Sequence, residues 1–325
     1  MSDMMWRVAK HEGLGNIVME QVPIPELGPN EALVRVHASL ISRGSELWKR
    51  YIDPGPIDPG RMGYSTAGVI EKVGSDVTWF APGDRVSCAA PHAEYAIWDA
   101  GAAVSRRLAK LPDDVPLVDG TFQPLVSSSL GWTAAAGIQP QHTVVILGLG
   151  LVGNLVMQAA TRFMPAQLCG VDVLPNRRGL MEQLRIGTVI DGAARDPVES
   201  VLELTDGKGA DIVIDCVGGR AGVKSFEQAQ DMLVAGGLLQ IIGLYHDVPL
   251  PLDASKIQGR RLLGGHLPDT DLNAAARATM EALSSGLIRV APLVTHYFPG
   301  NQAKEAFDLL YEHPESAMGV ILEWT

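Results

Sequence analysis

The segment TVVILGLGLVGNLVMQAATRF, residues 143–163, constrains the fold more than any other part of the chain. A short apolar run reads as a buried strand. It passes through Gly148-x-Gly150-x-x-Gly153 into a pattern with helical spacing. Each glycine has a separate use: Gly148 lets the chain turn tightly, Gly150 lets backbone approach a pyrophosphate, and Gly153 lets the new helix pack against the strand. Leu151 and Val152 fill the intervening places, where the unpaired N–H groups of a helix N-terminus face an anion. The next apolar run, LCGVDV, ends near Asp172, nineteen residues beyond Gly153. A carboxylate there accepts hydrogen bonds from both hydroxyls of an adenosine ribose and repels a 2′-phosphate, so NAD is expected ahead of NADP. Arg177 and Arg178 follow closely and could instead serve a phosphate. The bland alternative is a tight strand–helix turn with Asp172 as a solvated loop carboxylate.

The rest of the chain has two rhythms. From residue 5 to about 100, short strand patterns (WRVAKH, NIVMEQV, EALVRVHASLI, AGVIEKVG, DRVSCAA, AEYAIW) alternate with turn-forming stretches such as PELGPN, DPGPIDPG and APGDR. From about 125, apolar strands (TVVILG, LCGVDV, TVIDG, IVIDCVG, LLQIIGLY, RLLGGHL) alternate with longer helical patterns, which implies parallel pairing through crossovers. The expected fold class is therefore α/β: a doubly wound parallel sheet beside a separate, mainly β domain. Two amphipathic patterns after 270 and the terminal MGVILEW suggest a return to the first domain. The expected division is residues 1–118 with 271–325, and residues 119–270.

Composition excludes several partners. The formal net charge of −11 opposes attraction to a polyphosphate backbone, and basic residues cluster no further than the pairs Arg106-Arg107, Arg177-Arg178 and Arg260-Arg261. No apolar run approaches the roughly 20 residues of a membrane span, and the opening MSDMMWRVAKHEG carries no export pattern, so no membrane and a cytoplasmic location are expected. Cys88, Cys169 and Cys216 are far apart, which removes a disulfide framework and read as small buried apolar residues.

The ordered series HASLISRGSELW, MGYSTAGVIEKVGSDV, PGDRVS, HAEYAI, ILGLGLVG and IDCVGG resembles the medium-chain dehydrogenase/reductase superfamily over nearly the whole chain. The S-R-G-S-E segment looks most like the branch of polyol, sugar and bacteriochlorophyllide-type hydroxyethyl dehydrogenases. The resemblance implies a Rossmann domain for the α/β half and a GroES-like catalytic domain for the β half. It also implies that Val217 and Gly218 lie near a nicotinamide, with Gly243 and Leu244 beside its carboxamide, and that the chain forms a homodimer through RLLGGHL. Zinc members open one segment with cysteine, carry histidine and glutamate in a second, and polyol dehydrogenases add a glutamate in a third. Here those places hold Arg43, Tyr64 with Ser65, and Gln123. None is a thiolate, imidazole or carboxylate, so no zinc is expected.

Hydride transfer without a metal needs hydrogen-bonding groups to stabilise an alkoxide and move its proton. Tyr64 is the expected acid/base, and Ser45, which matches the hydroxyl of the family's proton relay, its partner. Arg43 is read as a fixed cation paired with Glu46, and Ser42 and Gln123 as polar lining. The relay histidine of some alcohol dehydrogenases falls near Trp48. Plainer readings stand beside these: Tyr64 as a core aromatic bonded to a main-chain carbonyl, Arg43 with Glu46 as a structural ion pair, and His92 and His37 as structural. His246, His266 and His296 rank below them. Three functions remain open on small-molecule substrates or none: secondary alcohol–ketone interconversion, reduction of an enone or quinone, and nucleotide binding without catalysis.

Overall fold

A computed structural model describes residues 4–101, 108–244, 248–265 and 272–324. The chain separates into two units, 1–127 with 271–325, and 128–270. The division falls nine residues later than the expected one between 118 and 119, inside the helix Gln123–Ala135. The cause is local: the preceding short helix Leu117–Gly120 packs on strands of the first unit and holds Gln123 with them.

In the first unit, β1 (Met4–Lys10) and β2 (Ile17–Pro23) form an antiparallel pair. The larger sheet uses β3 (Glu31–Ile41), β4 (Thr66–Val73), β5 (Arg85–Cys88), β6 (Tyr95–Asp99), β7 (Leu108–Lys110), β14 (Val294–Pro299) and β15 (Gly319–Glu323). Its order is β14-β15-β3-β4-β5-β7, and β6 pairs with β3 beside that path. The terminal MGVILEW therefore returns as expected: β15 lies antiparallel to β3, Val320 opposite Ile41 and Leu322 opposite Ser39. Alternation along β3 turns Val34, Val36 and Ala38 inward and Arg35 and His37 outward. Their core continues into Leu47, Tyr51 and Phe307. Lys10 is wholly buried, and its ammonium donates to the carbonyls of Asp53 and Gly55, tying down the Pro/Gly loop that follows.

The second unit contains β8 (Thr143–Leu147), β9 (Gln167–Asp172), β10 (Thr188–Asp191), β11 (Ala210–Asp215), β12 (Leu233–Ile241) and β13 (Arg261–Gly264). All pair in parallel in the order β10-β9-β8-β11-β12-β13. This doubly wound order puts the switch point at the carboxyl end of β8, where open α/β sheets bind ligands. Both faces are covered, Ile146 and Ile214 belonging to one core and Val145 and Val213 to the other. Burial on both sides explains why these strands read as continuous apolar runs.

Arg43–Tyr51, a polar motif in the sequence, is a wide helical segment closed by Ile52 N–H donating to Leu47 O, five residues back. Helical segments of this width occur frequently at functional sites. Arg106, Arg107, His246 and His266 lie outside the described residues.

Candidate functional site

In the glycine-rich turn of the second unit, Gly148 and Gly153 have backbone surroundings that suit glycine. Gly148 sits at φ +81°, and a Cβ there would come within 2.7 Å of Val217. At Gly153 a Cβ would lie 1.7 Å from the Gly148 carbonyl oxygen, a collision that only glycine avoids. The helix Leu151–Ala160 begins at Gly150 with no side-chain cap, so the dipole and N–H groups of its first turn are left for a ligand.

Asp172 is buried rather than solvated. Its Oδ2 accepts from the Leu149 N–H at 2.7 Å and meets Arg177 Nη1 at 3.5 Å, while Oδ1 accepts from the Leu174 N–H at 2.8 Å. The carboxylate is thus fixed in orientation, with lone pairs left to accept further hydrogen bonds. The two arginines divide. Arg177 leans toward Gly150, where a Cβ would lie 3.6 Å from its Nη1; Arg178 instead joins Asp191 at 2.6 Å and braces β9 to β10. At the ends of β11 and β12 the implied nicotinamide positions meet in backbone contact. A Cβ on Gly243 would stand 2.1 Å from Val217 O, and one on Gly218 would stand 2.5 Å from Leu244 O. Gly219, not singled out in the sequence, completes this crossing at φ +66° with its N–H toward Leu244 O.

The first unit gathers a second set of groups. Gly63 at φ +112° allows the approach of His92, whose backbone nitrogen would be 2.6 Å from a Cβ. This delivers Tyr64, half-buried, with its hydroxyl donating to Ser42 Oγ at 2.6 Å. Ser45 also hydrogen-bonds the phenol, and the Arg50 guanidinium stands 5.9 Å from the ring centre. The plainer reading, a phenol bonded to a main-chain carbonyl, is replaced by hydroxyl–hydroxyl contacts. Loss of hydration raises the Tyr64 pKa above its usual 10.0, and the nearby Glu46 carboxylate adds to the rise; Ser42, Ser45 and Arg50 oppose it.

Glu46 does not pair with Arg43. Its Oε2 accepts from the Ser42 N–H at 2.7 Å, and Oε1 meets His92 Nε2 at 2.9 Å and Arg50 Nη1 at 3.4 Å. Arg43 donates from Nε to Leu310 O. On the wide winding from 43, Glu46 and Arg50 are an i, i+4 pair, and Arg43 is held by the Leu310 carbonyl instead. The chain of polar groups continues from His92 Nδ1 to Ser39 Oγ at 2.8 Å, which accepts from Trp324 Nε1 at 2.9 Å. One proton arrangement satisfies every member: Trp324 N–H to Ser39, Ser39 O–H to Nδ1, and Nε2–H to an ionised Glu46. Ser39, His92 and Glu46 thus have the connectivity of a nucleophile–base–acid triad. All three are fully buried, so they brace the site rather than attack a substrate.

Ser65 Oγ and Gln123 Nε2, like Arg50 Nη1 and Ser87 Oγ, are buried and have no hydrogen-bond partner. An unmade bond of this kind costs about 1–3 kcal/mol. Of the remaining residues, Trp48 is half-buried, His37 is exposed and His296 on β14 meets Thr295. Burial pushes the thiols of Cys88 and Cys169 up to about 12 and about 11, and raises that of half-buried Cys216, so none is a ready nucleophile.

An alcohol dehydrogenase GroES-like domain model matches residues 28–126, and a zinc-binding dehydrogenase model matches residues 152–283. The chain belongs to the medium-chain dehydrogenase/reductase superfamily. It is an oxidoreductase of that superfamily, whose members use a pyridine nucleotide. An uncharacterised zinc-type alcohol dehydrogenase-like protein of Escherichia coli, YdjJ, is 28% identical over 330 residues, covering 91% of this chain and 92% of the relative. Human sorbitol dehydrogenase is 26% identical over 336 residues, covering 91% and 90%. The fold matches the crystal structure of 2R,3R-butanediol dehydrogenase from Bacillus subtilis with a TM-score of 0.85 at 19% identity, over 99% of this chain and 100% of that one. In this member of the superfamily the positions that resemble zinc ligands hold Arg43, Tyr64, Ser65 and Gln123, a set that offers no thiolate, imidazole or carboxylate to a zinc ion. Among the described residues no three His, Cys, Asp or Glu side chains gather as a metal site.

Proposed function

We propose that the chain is an NAD(H)-dependent oxidoreductase interconverting a secondary alcohol and its ketone, with Tyr64 in the role that zinc plays elsewhere in the superfamily. The observation that carries this reading is the Tyr64 hydroxyl at 2.6 Å from Ser42 Oγ, with Ser45 as a second partner, at a position resembling a metal ligand. In oxidation the phenolate of Tyr64 would take the proton of the substrate hydroxyl as the carbinol carbon gives up its hydride. In reduction the phenol returns that proton as the hydride arrives. Ser42 and Ser45 orient the phenol and share its proton, while the Arg50 guanidinium offsets the developing negative charge. Polyols, sugar derivatives and larger ring-bearing alcohols are the substrate classes, in keeping with relatives named for sorbitol and butanediol.

Buried Asp172, held by two backbone N–H groups, supports NAD over NADP, with Arg177 closing over the ribose and pyrophosphate. The bound cofactor supplies the hydride acceptor; Gly148, Gly150, Leu151, Val152 and Gly153 cradle its phosphates, and Val217, Gly218, Gly243 and Leu244 face its nicotinamide end. A metal-free acid also suits reduction of an enone or quinone, in which the phenol protonates the product. Side-by-side assays of alcohols with NAD and of enones with NADH separate the two, and turnover confined to enones would sink the first. We further propose a cytoplasmic homodimer joined through the edge strand β13, which exposes Leu262.

A further inference from the structure

We infer that Asp215 is a positioning residue for the nicotinamide end of the bound cofactor, holding the backbone at the ends of β11 and β12 where that ring is proposed to lie. The inference rests on that placement of the nicotinamide and deepens it. Asp215 closes β11 and is 1% exposed, so it has no surface with which to touch a ligand. Its Oδ1 accepts from the Val217 N–H at 3.1 Å and from Ser225 Oγ at 2.8 Å, the serine standing on the helix Gly222–Met232. Its main-chain carbonyl accepts from the N–H groups of Ile242 and Gly243, each at 2.8 Å. One buried residue thus fixes the segment leaving β11 with its side chain and the segment leaving β12 with its backbone.

The segments it fixes have little room. Val217 is wedged between two glycines: a Cβ on Gly148 would come within 2.7 Å of its Cγ2, and one on Gly243 would stand 2.1 Å from its carbonyl oxygen. The turn after β8 and the end of β12 therefore take their spacing from where Val217 sits. Two of the four positions proposed to face the nicotinamide, Gly218 and Gly243, carry no side chain, so backbone placement alone decides what they present. A carboxyl oxygen suits the task of fixing that backbone, because its two lone pairs serve the Val217 amide and the Ser225 hydroxyl together. Locked supporting residues of this kind hold a binding site within its productive geometry.

The test measures, by calorimetry on the full chain, the affinities for NADH and for ADP-ribose, which lacks only the nicotinamide. Wild type is expected to bind NADH more tightly. Asp215→Ala should lower the NADH-to-ADP-ribose affinity ratio about tenfold and Ser225→Ala about threefold, through weaker NADH binding with ADP-ribose binding unchanged. Asp215→Asn, which keeps the Oδ1 acceptor, should retain most of the ratio. Ser200→Ala deletes a comparable buried bond on another helix of the same unit, from Ser200 Oγ to Asp196 O at 2.9 Å, and should leave the ratio as in wild type. Asp215→Ala and Ser225→Ala proteins that keep the wild-type ratio, or that lose affinity for both ligands alike as a purely structural residue would dictate, overturn the positioning role. Should Asp215→Ala fail to fold, Ser225→Ala decides by the same ratio. A wild type that binds both ligands equally would instead remove the nicotinamide from these strand ends, and the proposal with it.

Discussion

Tyr64 and the three groups behind it are where a single substitution is most informative. Tyr64→Phe removes only the hydroxyl and should lower kcat by roughly 10²- to 10⁴-fold, with NADH affinity measured by fluorescence unaltered. Unchanged turnover would transfer the acid/base role elsewhere. Glu46→Gln makes a different prediction, because it removes the carboxylate facing half-buried Arg50 and buried His92: a loss of stability in chemical denaturation, below the roughly 3–5 kcal/mol of a fully buried pair. Tyr64, Ser45, Gln123 and the glycines could be singled out in the sequence because each stands in a motif with a mechanical reason. The partner of Glu46 could not. Arg43 is nearer in the chain, but helical winding makes Arg50 the neighbour, and that winding shows only as an i, i+4 acid–base pair. His92 was legible as a strand-flanking residue, whereas its partners Ser39 and Trp324 come from β3 and the residue following β15, 285 positions apart.

Among the elements, the turn between β8 and its helix has the least tolerance. Gly153→Ala sets a methyl group 1.7 Å from a carbonyl oxygen, so the helix must withdraw from the strand. Loss of NADH binding together with a fall in melting temperature is expected, and calorimetry on the variant would show both. The six strands of the second unit were visible in the sequence because burial on both faces makes them uniformly apolar. In the first unit β3 was readable end to end, but β7, only three residues long, carries no pattern. β14 has the alternating burial of an edge strand, and its parallel pairing with β15 depends on residues the local sequence does not specify. Nor does local sequence reveal that Leu117–Gly120 packs on the β sheet and carries Gln123 with it.

At the scale of the molecule, the titrating groups act together. Tyr51, Tyr64, Tyr95, Cys88, Cys169 and Cys216 all have pKa values raised chiefly by loss of hydration. On unfolding these groups would release protons first, so above their ordinary values of 9.0 and 10.0 the unfolded chain binds fewer protons than the folded one. Stability is therefore expected to fall with rising pH from about 9, by up to about 1.4 kcal/mol per pH unit for each group involved. Melting temperatures between pH 7 and 11 check this, and a flat profile would contradict it. Tyr64 imposes the same direction on catalysis: ketone reduction should hold its rate up to about pH 10, while alcohol oxidation keeps climbing there. Sedimentation at micromolar protein tests assembly through β13, where Leu262→Lys should shift a dimer toward monomer.

The pairing of β15 with β3 has a temporal side. The second unit is one uninterrupted stretch, whereas the first draws on residues at both ends of the chain. On the ribosome, β3 emerges roughly 280 residues before the strand that must lie against it. The nucleotide-binding half can fold while the other still waits for its last strand. Only when residues 319–324 emerge can Trp324 reach Ser39 and complete the brace behind Tyr64, so synthesis would bring nucleotide binding before chemistry.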